Sequence, residues 1–245
     1  MFWPGAAKIV VVASVLFTLA GLVLPNYSHA RQWIGLTGIE LAEKHNAYGF
    51  AGAITPLAPD AEFGQGWVQS YWLDWVEYRF GSDGEEVRAR APGFSASLGY
   101  QQSNSKGFWA AYAGAGYRKT TLTPDRLNAE VRGSQSALLL MAEMDRRVAM
   151  SWRFVGAVQL AAGPDTYWTR AKFLHATSAS VWYGMEIIFQ GDPDYHATKV
   201  GLVLDEWPVG ERVSANFKLG ANKTKGIKTG AYAGIEFVGS FRSSK

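Results

Sequence analysis

Toward the C-terminal end of the chain, apolar and polar residues alternate at every second position. Every odd-numbered residue is apolar in 213–221 and again in 231–237, while Arg212, Asn216, Lys218 and Glu236 occupy even positions. Successive side chains of a β-strand point to opposite faces, so a period of two predicts strands with one apolar and one polar face. A chain built of such strands must place each face in a different environment.

The first thirty residues have the pattern of a secretory signal. One charge, Lys8, precedes a run of apolar and small residues, 9–24, which is too short for a comfortable membrane-spanning helix. Pro25 ends the run, and Ser28 and Ala30 supply small residues at the positions that signal peptidase reads. We therefore expect a signal peptide over 1–30, cleaved after Ala30, with an uncleaved anchor helix as the alternative.

Composition narrows the class of protein further. The chain has no Cys, which removes a disulfide framework, a thiolate metal site and a lipid-modified N-terminal Cys. Its formal net charge of +3 is too small to indicate nucleic-acid binding. The 27 glycines and the 14% aromatic content suit a transmembrane barrel, whose tilted strands bend and whose Trp and Tyr lie at the membrane boundary.

Turn-forming residues divide the rest of the chain, 31–245, into about twelve strands in one domain. The expected strands are 32–41, 47–56, 66–80, 86–102, 107–119, 133–145, 147–162, 165–177, 180–190, 195–206, 211–222 and 228–241. Short connections between them predict an all-β, antiparallel, up-and-down barrel that crosses the membrane. An even strand count would place both termini on the periplasmic side.

The polar face of these strands carries charges of both signs. The residues expected to point into the lumen and to form a mixed-sign network are Glu143, Arg153, Arg170, Lys172, Glu186, Lys199, Asp205, Lys218 and Glu236. Facing lipid near the midplane, an Arg or Lys would cost about 2–4 kcal/mol. A soluble sandwich would have to bury either these charges or the opposite apolar row, so a barrel is favoured. Arg170 and Glu186, on adjacent strands, are the best candidate pair.

Four stretches of the chain resemble the BcsS family of cellulose biosynthesis proteins. These are 48–53 with Gly66-Trp67, 111–117 with 122–125 and 131–134, Asp165–Arg170, and Gly184-Met185-Glu186 with 191–195 and 199–201. The chain has Lys199 where the family pattern favours Arg, which keeps an inward cation, and Met185 where it favours Pro. The resemblance implies a β-barrel of the outer membrane with a role in cellulose synthesis or export, and it implies no mechanism.

Aromatic residues crowd two segments that reach predicted membrane boundaries. They are Trp67, Tyr71, Trp72 and Trp75 in one segment, and Trp109, Tyr112 and Tyr117 in the other. A glucan could stack on such rings, but a belt at the lipid interface is the favoured interpretation.

No constellation of residues points clearly to catalysis or to a cofactor. His175 is the one candidate base in a predicted strand, and its neighbour on the same face is Thr177, a poor match to a nucleophile–base pair. Asp192 and Asp194 supply two carboxylates in a turn, too few for a hard cation that takes six or more oxygens. We therefore expect no catalytic residues, no metal and no cofactor.

The leading hypothesis is a non-enzymatic accessory barrel of cellulose or exopolysaccharide biosynthesis and export, in the outer membrane of a Gram-negative bacterium. Its expected partners are outer-membrane lipid and either cellulose or the cellulose synthase and export machinery, with no nucleic acid. An outer-membrane hydrolase that modifies lipid and a small-solute pore are the two alternatives.

Overall fold

The structure is a computed structural model, and it describes residues 32–43, 46–58, 61–82, 85–126, 129–163, 165–177, 180–226 and 228–242. The expected signal peptide, 1–30, lies outside the described residues. None of the described residues belongs to a helix that is long and apolar enough to cross a membrane.

Twelve antiparallel strands form one closed barrel, so the predicted fold class is confirmed. They are β1 Gln32–Ala42, β2 Asn46–Pro56, β3 Gln65–Ser82, β4 Glu85–Asn104, β5 Gly107–Thr123, β6 Gly133–Ala149, β7 Trp152–Ala162, β8 Thr166–Ala176, β9 Trp182–Gly191, β10 His196–Pro208, β11 Val213–Thr224 and β12 Gly230–Arg242. Each strand pairs with its neighbours in the chain. The barrel closes where β1 pairs with β12, from Gln32 opposite Arg242 to Ala42 opposite Tyr232.

The barrel has two ends, which differ in length of strand and in charge. The terminal end is where β1 begins at Gln32 and β12 ends at Arg242, and the loop end is the opposite one. Strands β3 and β4, of 18 and 20 residues, are longer than the strands of the opposite wall, such as the 10-residue β9. Their outer face at the loop end carries Glu77, which forms ion pairs with Arg88 and Arg90. This charged extension therefore lies beyond the apolar band.

The predicted boundary between β6 and β7 is wrong by several residues. We expected strands over 133–145 and 147–162 with a turn at residue 146, but β6 continues to Ala149 and pairs with β7 across a register shift between Arg147 and Ala149. Charged residues are compatible with a strand where it projects past the lipid, since both of its faces then meet water.

The outer surface of the barrel is a wide apolar band. Exposed apolar side chains lie on every other residue of the central strands, among them Leu98, Leu138, Leu140, Leu160, Met185, Leu202 and Leu219. Aromatic side chains flank this band at the terminal end, where Trp67, Tyr100, Trp109, Trp152 and Trp207 are exposed. An apolar band bounded by aromatic residues is the outer surface expected of a transmembrane barrel.

Candidate functional site

The inner faces of the strands meet in a charged lumen, which is the candidate functional site. Strand alternation places Arg170 of β8, Lys218 of β11 and Glu236 of β12 on this face. Arg170 Nη1 lies 3.1 Å from Glu236 Oε1, and Lys218 Nζ lies 2.9 Å from the same oxygen. Lys218 Nζ also lies 2.8 Å from Glu40 Oε2, and Lys199 donates a hydrogen bond to the other oxygen of Glu40. These five side chains form a chain of alternating charges.

A second group of charges lies beside this chain. Lys172 Nζ donates hydrogen bonds to both carboxylate oxygens of Asp205, at 2.8 and 3.1 Å. Tyr232 donates its hydroxyl to Glu186 Oε1 at 3.0 Å. Lys172 and Glu186 expose only 4% and 2% of their surface. Charges this deeply buried require partners, because an isolated one would be too costly to remove from water.

A third group of charges lies nearer the terminal end. Arg153 donates to both carboxylate oxygens of Asp145 and reaches Glu206 Oε1 at 2.7 Å. Its guanidinium also lies 5.5 Å from the centre of the Trp182 ring. Glu143 accepts a hydrogen bond of 2.8 Å from the Tyr112 hydroxyl. The nine residues expected in the lumen network therefore all contact polar or charged partners on the inner face.

The expected pairing of Arg170 with Glu186 is wrong. In the β8–β9 register Arg170 lies opposite Ile188, and Glu186 lies opposite Lys172. Arg170 instead reaches Glu236, four strands away along the barrel wall, so this ion pair crosses the lumen. A narrow closed barrel brings opposite walls within reach of long side chains, and sequence adjacency of strands does not reveal this contact.

Several partners in the lumen were not predicted from the sequence. The most deeply placed is Glu40 of β1, which is 5% exposed and joins two of the lysines. Arg118 Nη2 of β5 lies 2.5 Å from Asp74 Oδ2 of β3, two strands away. The signal for Glu40 was present, because a single acid within an otherwise uncharged strand is expected to have a cation facing it.

Apolar and aromatic side chains close the lumen at the loop end. Tyr78, Val87, Leu122, Val131 and Tyr195 belong to one buried cluster. The β9–β10 turn folds over this cluster, because Tyr78 donates its hydroxyl to Asp192 Oδ2 at 2.9 Å. Asp192 Oδ1 accepts the backbone N–H groups of Asp194 and Tyr195, which fixes the turn. Burial raises the pKa of the Asp192 carboxyl above its ordinary value.

These contacts leave little free volume around Lys199, Glu40 and Tyr78. The side chains of Lys199, Glu40 and Tyr78 surround an interior cavity of about 20 Å³, enough for about one water molecule. Ile188, which pairs with Lys199, is 2% exposed on the inner face, and Leu174, further toward the terminal end, is 0% exposed. A side chain that lines an open water channel would be exposed, so the described strands do not form an open pore at these levels.

The predicted aromatic set divides between the two faces of the barrel. Trp67, Tyr71, Trp109 and Tyr117 are exposed on the outer face, where Trp75 also points. Tyr112, however, is 6% exposed and bonded to Glu143 within the lumen. Trp72 shares the inner face with Asp74 and stacks on Phe50 with ring centres 5.0 Å apart. The expectation that these two rings lie at an interface is corrected, since alternation within each strand turns them inward.

The candidate catalytic and metal residues do not form a recognisable site. The His175 ring packs edge-on against Trp152 and Tyr183, with centres 4.7 and 5.5 Å apart, and its Nδ1 has no hydrogen-bond partner among the described residues. A catalytic base would need a nucleophile within hydrogen-bond reach. Asp192 accepts hydrogen bonds from its own turn and from Tyr78, and Asp194 Oδ2 accepts the backbone N–H of Val131 at 3.4 Å. The described residues bring no group of three or more potential ligands together for a metal ion.

Solved structures show the same fold at very low sequence identity. The TodX deltaS2S3 mutant monoaromatic hydrocarbon channel has a TM-score of 0.52 and 6% identity, with 95% of this chain and 92% of that chain covered. The CymD monoaromatic hydrocarbon channel has a TM-score of 0.51 and 9% identity, with 88% of this chain and 89% of that chain covered. The COG4313 outer membrane channel from Pseudomonas putida F1 has a TM-score of 0.50 and 10% identity, with 89% of this chain and 100% of that chain covered. A search of the curated proteins gave no match.

Closure of all twelve strands, an apolar outer band and a charged lumen define a transmembrane β-barrel of the outer-membrane type. Within that class the chain belongs to the family of the cellulose biosynthesis protein BcsS, whose family model matches residues 34–241. The resemblance inferred from the sequence is thereby confirmed.

Proposed function

We propose that the protein is a non-enzymatic accessory barrel of bacterial cellulose biosynthesis, located in the outer membrane of a Gram-negative cell, and that glucan passes beside it and not through it. Family membership supports the link to cellulose. The observation that carries the rest is the closed lumen, crossed by the ion pair of Arg170 with Glu236 and capped by the contact of Tyr78 with Asp192.

A chain of glucose units would have to displace several buried ion pairs to enter this lumen. Separating one buried pair costs about 3–5 kcal/mol, and the neutral hydroxyls of a glucan would not replace the lost charge interactions. At the membrane boundary, by contrast, the exposed ring of Trp67 offers glucan a stacking surface without the loss of any ion pair in the lumen. A supporting role at the membrane, in contact with cellulose or with the synthesis and export machinery, requires no open lumen.

Deletion of the gene in its native host tests this proposal. We expect cells without the protein to lose extracellular cellulose, measured as the glucose that purified cellulase releases from washed cells, and the wild-type gene to restore it. The His175→Ala variant should restore cellulose equally well, because in our proposal that ring serves only packing. Unchanged cellulose after deletion would contradict the link to cellulose, and failure of His175→Ala, when folded, would favour an enzyme.

A further inference from the structure

A concave cationic surface lies at the terminal end of the barrel, and we name it the basic groove. It has a volume of about 630 Å³ and is lined by Lys106, Arg146, Arg147, Val148, Ala149 and Met150. The groove arises because β6 pairs with β5 only as far as Arg146 but continues with β7 to Ala149. Arg147 N donates to Lys106 O at 2.8 Å, which ties the two hairpin ends together.

The charges of the basic groove are uncompensated within the described part of the chain. Lys106, Arg146 and Arg147 form no ion pair there, and the nearby Asp145 is bound by Arg153. All three cations are exposed. Arg146 lies on the outer face of β6, whereas Arg147 lies opposite Arg153 on the inner face, with its guanidinium 5.9 Å from the centre of the Trp182 ring. Adjacent cations repel one another and attract an anion, and the planar donors of Arg146 suit phosphate oxygens.

The apolar part of the groove continues the lipid-facing surface. Met150 is 100% exposed and Val148 is 56% exposed. Trp109, on the outer face of β5, lies opposite Met144 of β6, and Arg146 follows two residues further on the same face. Two residues of a strand span about 7 Å, so Arg146 lies just beyond the row of aromatic residues that marks the membrane boundary. This is the level at which lipid phosphate groups lie.

We propose that the basic groove is a binding site for the phosphate group of a glycerophospholipid in the leaflet at the terminal end. Arg146 donates to the phosphate oxygens and Lys106 supplies a second charge. The acyl chains extend along the outer face beside Trp109 and Met144. The continuity of the groove with the apolar band favours a lipid over a soluble anion, which would use the charges and leave the apolar side chains in water.

Native mass spectrometry of the purified, detergent-folded protein with dioleoyl phosphatidylglycerol tests the site. The test variant is Lys106→Gln with Arg146→Gln. The matched control is Arg212→Gln with Arg242→Gln, which removes the same charge from exposed arginines at the same end. We expect the test variant to bind the lipid about tenfold more weakly, because two charge-assisted hydrogen bonds are lost, and the control to bind like wild type.

Equal losses in the test and control variants would overturn the proposal, since general charge attraction would then explain binding. No loss in the test variant would overturn it as well. Full displacement of the lipid by millimolar inorganic phosphate would show a site for the free anion and would overturn the assignment to lipid. If the double variant does not fold, judged by its heat-dependent migration on gels, Arg146→Gln serves instead, with an expected loss of about threefold against Arg212→Gln.

Discussion

Arg170 spans the lumen from β8, and its guanidinium meets Glu236 of β12. Such a contact is useful to a barrel of twelve strands, because a barrel wider than eight strands cannot be filled by short side chains projecting from one wall. Long charged side chains from opposite walls fill the space and satisfy each other. The cost of desolvating the charges is offset only while every partner is present.

Replacing Arg170 by Leu should therefore destabilise the barrel by about 3 kcal/mol, at the low end for loss of a buried partner because Glu236 keeps Lys218. Urea unfolding in detergent micelles, followed by tryptophan fluorescence, measures this change. Leu202→Ile is the control: Leu202 is 58% exposed on the lipid face, so its change should remain within about 0.5 kcal/mol. A greater effect of the control would mean that the inner and outer faces of these strands are interchanged.

A second residue-scale prediction concerns the glycine beneath a lumen ring. Gly99 lies opposite Tyr112 in the β4–β5 register, and a Cβ at position 99 would collide with that ring. Gly99→Ala should cost about 1–3 kcal/mol, as overpacking does, in the same unfolding measurement. At Gly81 an added Cβ has no atom within 4 Å, so Gly81→Ala is the matched control. Equal effects of the two changes would show that the ring does not lie over Gly99.

At the scale of elements, the β9–β10 turn acts as the lid of the loop end. Its Asp192 accepts the Tyr78 hydroxyl from the opposite wall, and Tyr195 packs on the Tyr78 ring with centres 4.6 Å apart. The carboxylate is fixed by backbone N–H groups, yet burial dominates and raises the pKa of Asp192. The turn is therefore an element whose stability depends on pH.

The direction of this dependence follows from the raised pKa. The folded protein holds the Asp192 proton more tightly than the unfolded chain, whose pKa for this carboxyl is near the ordinary 3.8. The contribution to stability is fully present below pH 3.8 and is lost as pH rises through the raised pKa. Asp192→Asn should flatten the change in unfolding free energy with pH above 3.8, measured by urea unfolding at several pH values. An unchanged slope in Asp192→Asn would contradict this assignment.

The strands themselves could be predicted from the sequence, because each must alternate between lipid and lumen over its whole length. The alternation of apolar and polar residues and the positions of the turn residues were sufficient to predict the fold. The contacts of Arg170 and Tyr112 could not be predicted in this way, because they depend on which strands face each other across the lumen. The end of β6 was also not predictable, since alternation no longer constrains a hairpin that has left the lipid.

At the scale of the whole molecule, the fold is shared with channels, whereas the lumen is filled. Closure of β1 on β12 removes every open edge, as a lipid environment requires. Channel function would additionally require a continuous path of water, and Glu186 and Lys172, at 2% and 4% exposed, do not line such a path. The distinction between this protein and an open channel therefore lies in its inward side chains and not in its strand topology.

The last prediction is that the purified wild-type protein forms no conducting pore. In planar bilayers it should add no steady conductance, and vesicles that contain it should retain trapped cellohexaose. A fourfold variant that removes both closures should conduct if it folds. It combines Arg170→Ala and Glu236→Ala in the lumen with Tyr78→Ala and Asp192→Ala at the loop end.

A large general porin in the same vesicles is the control for release of the trapped sugar. Wild-type conductance, or release of cellohexaose from wild-type vesicles, would contradict a closed barrel and would restore the route through the lumen. Retention by the wild type together with conductance by the variant would show that these side chains, in a barrel otherwise able to conduct, are what keep it shut.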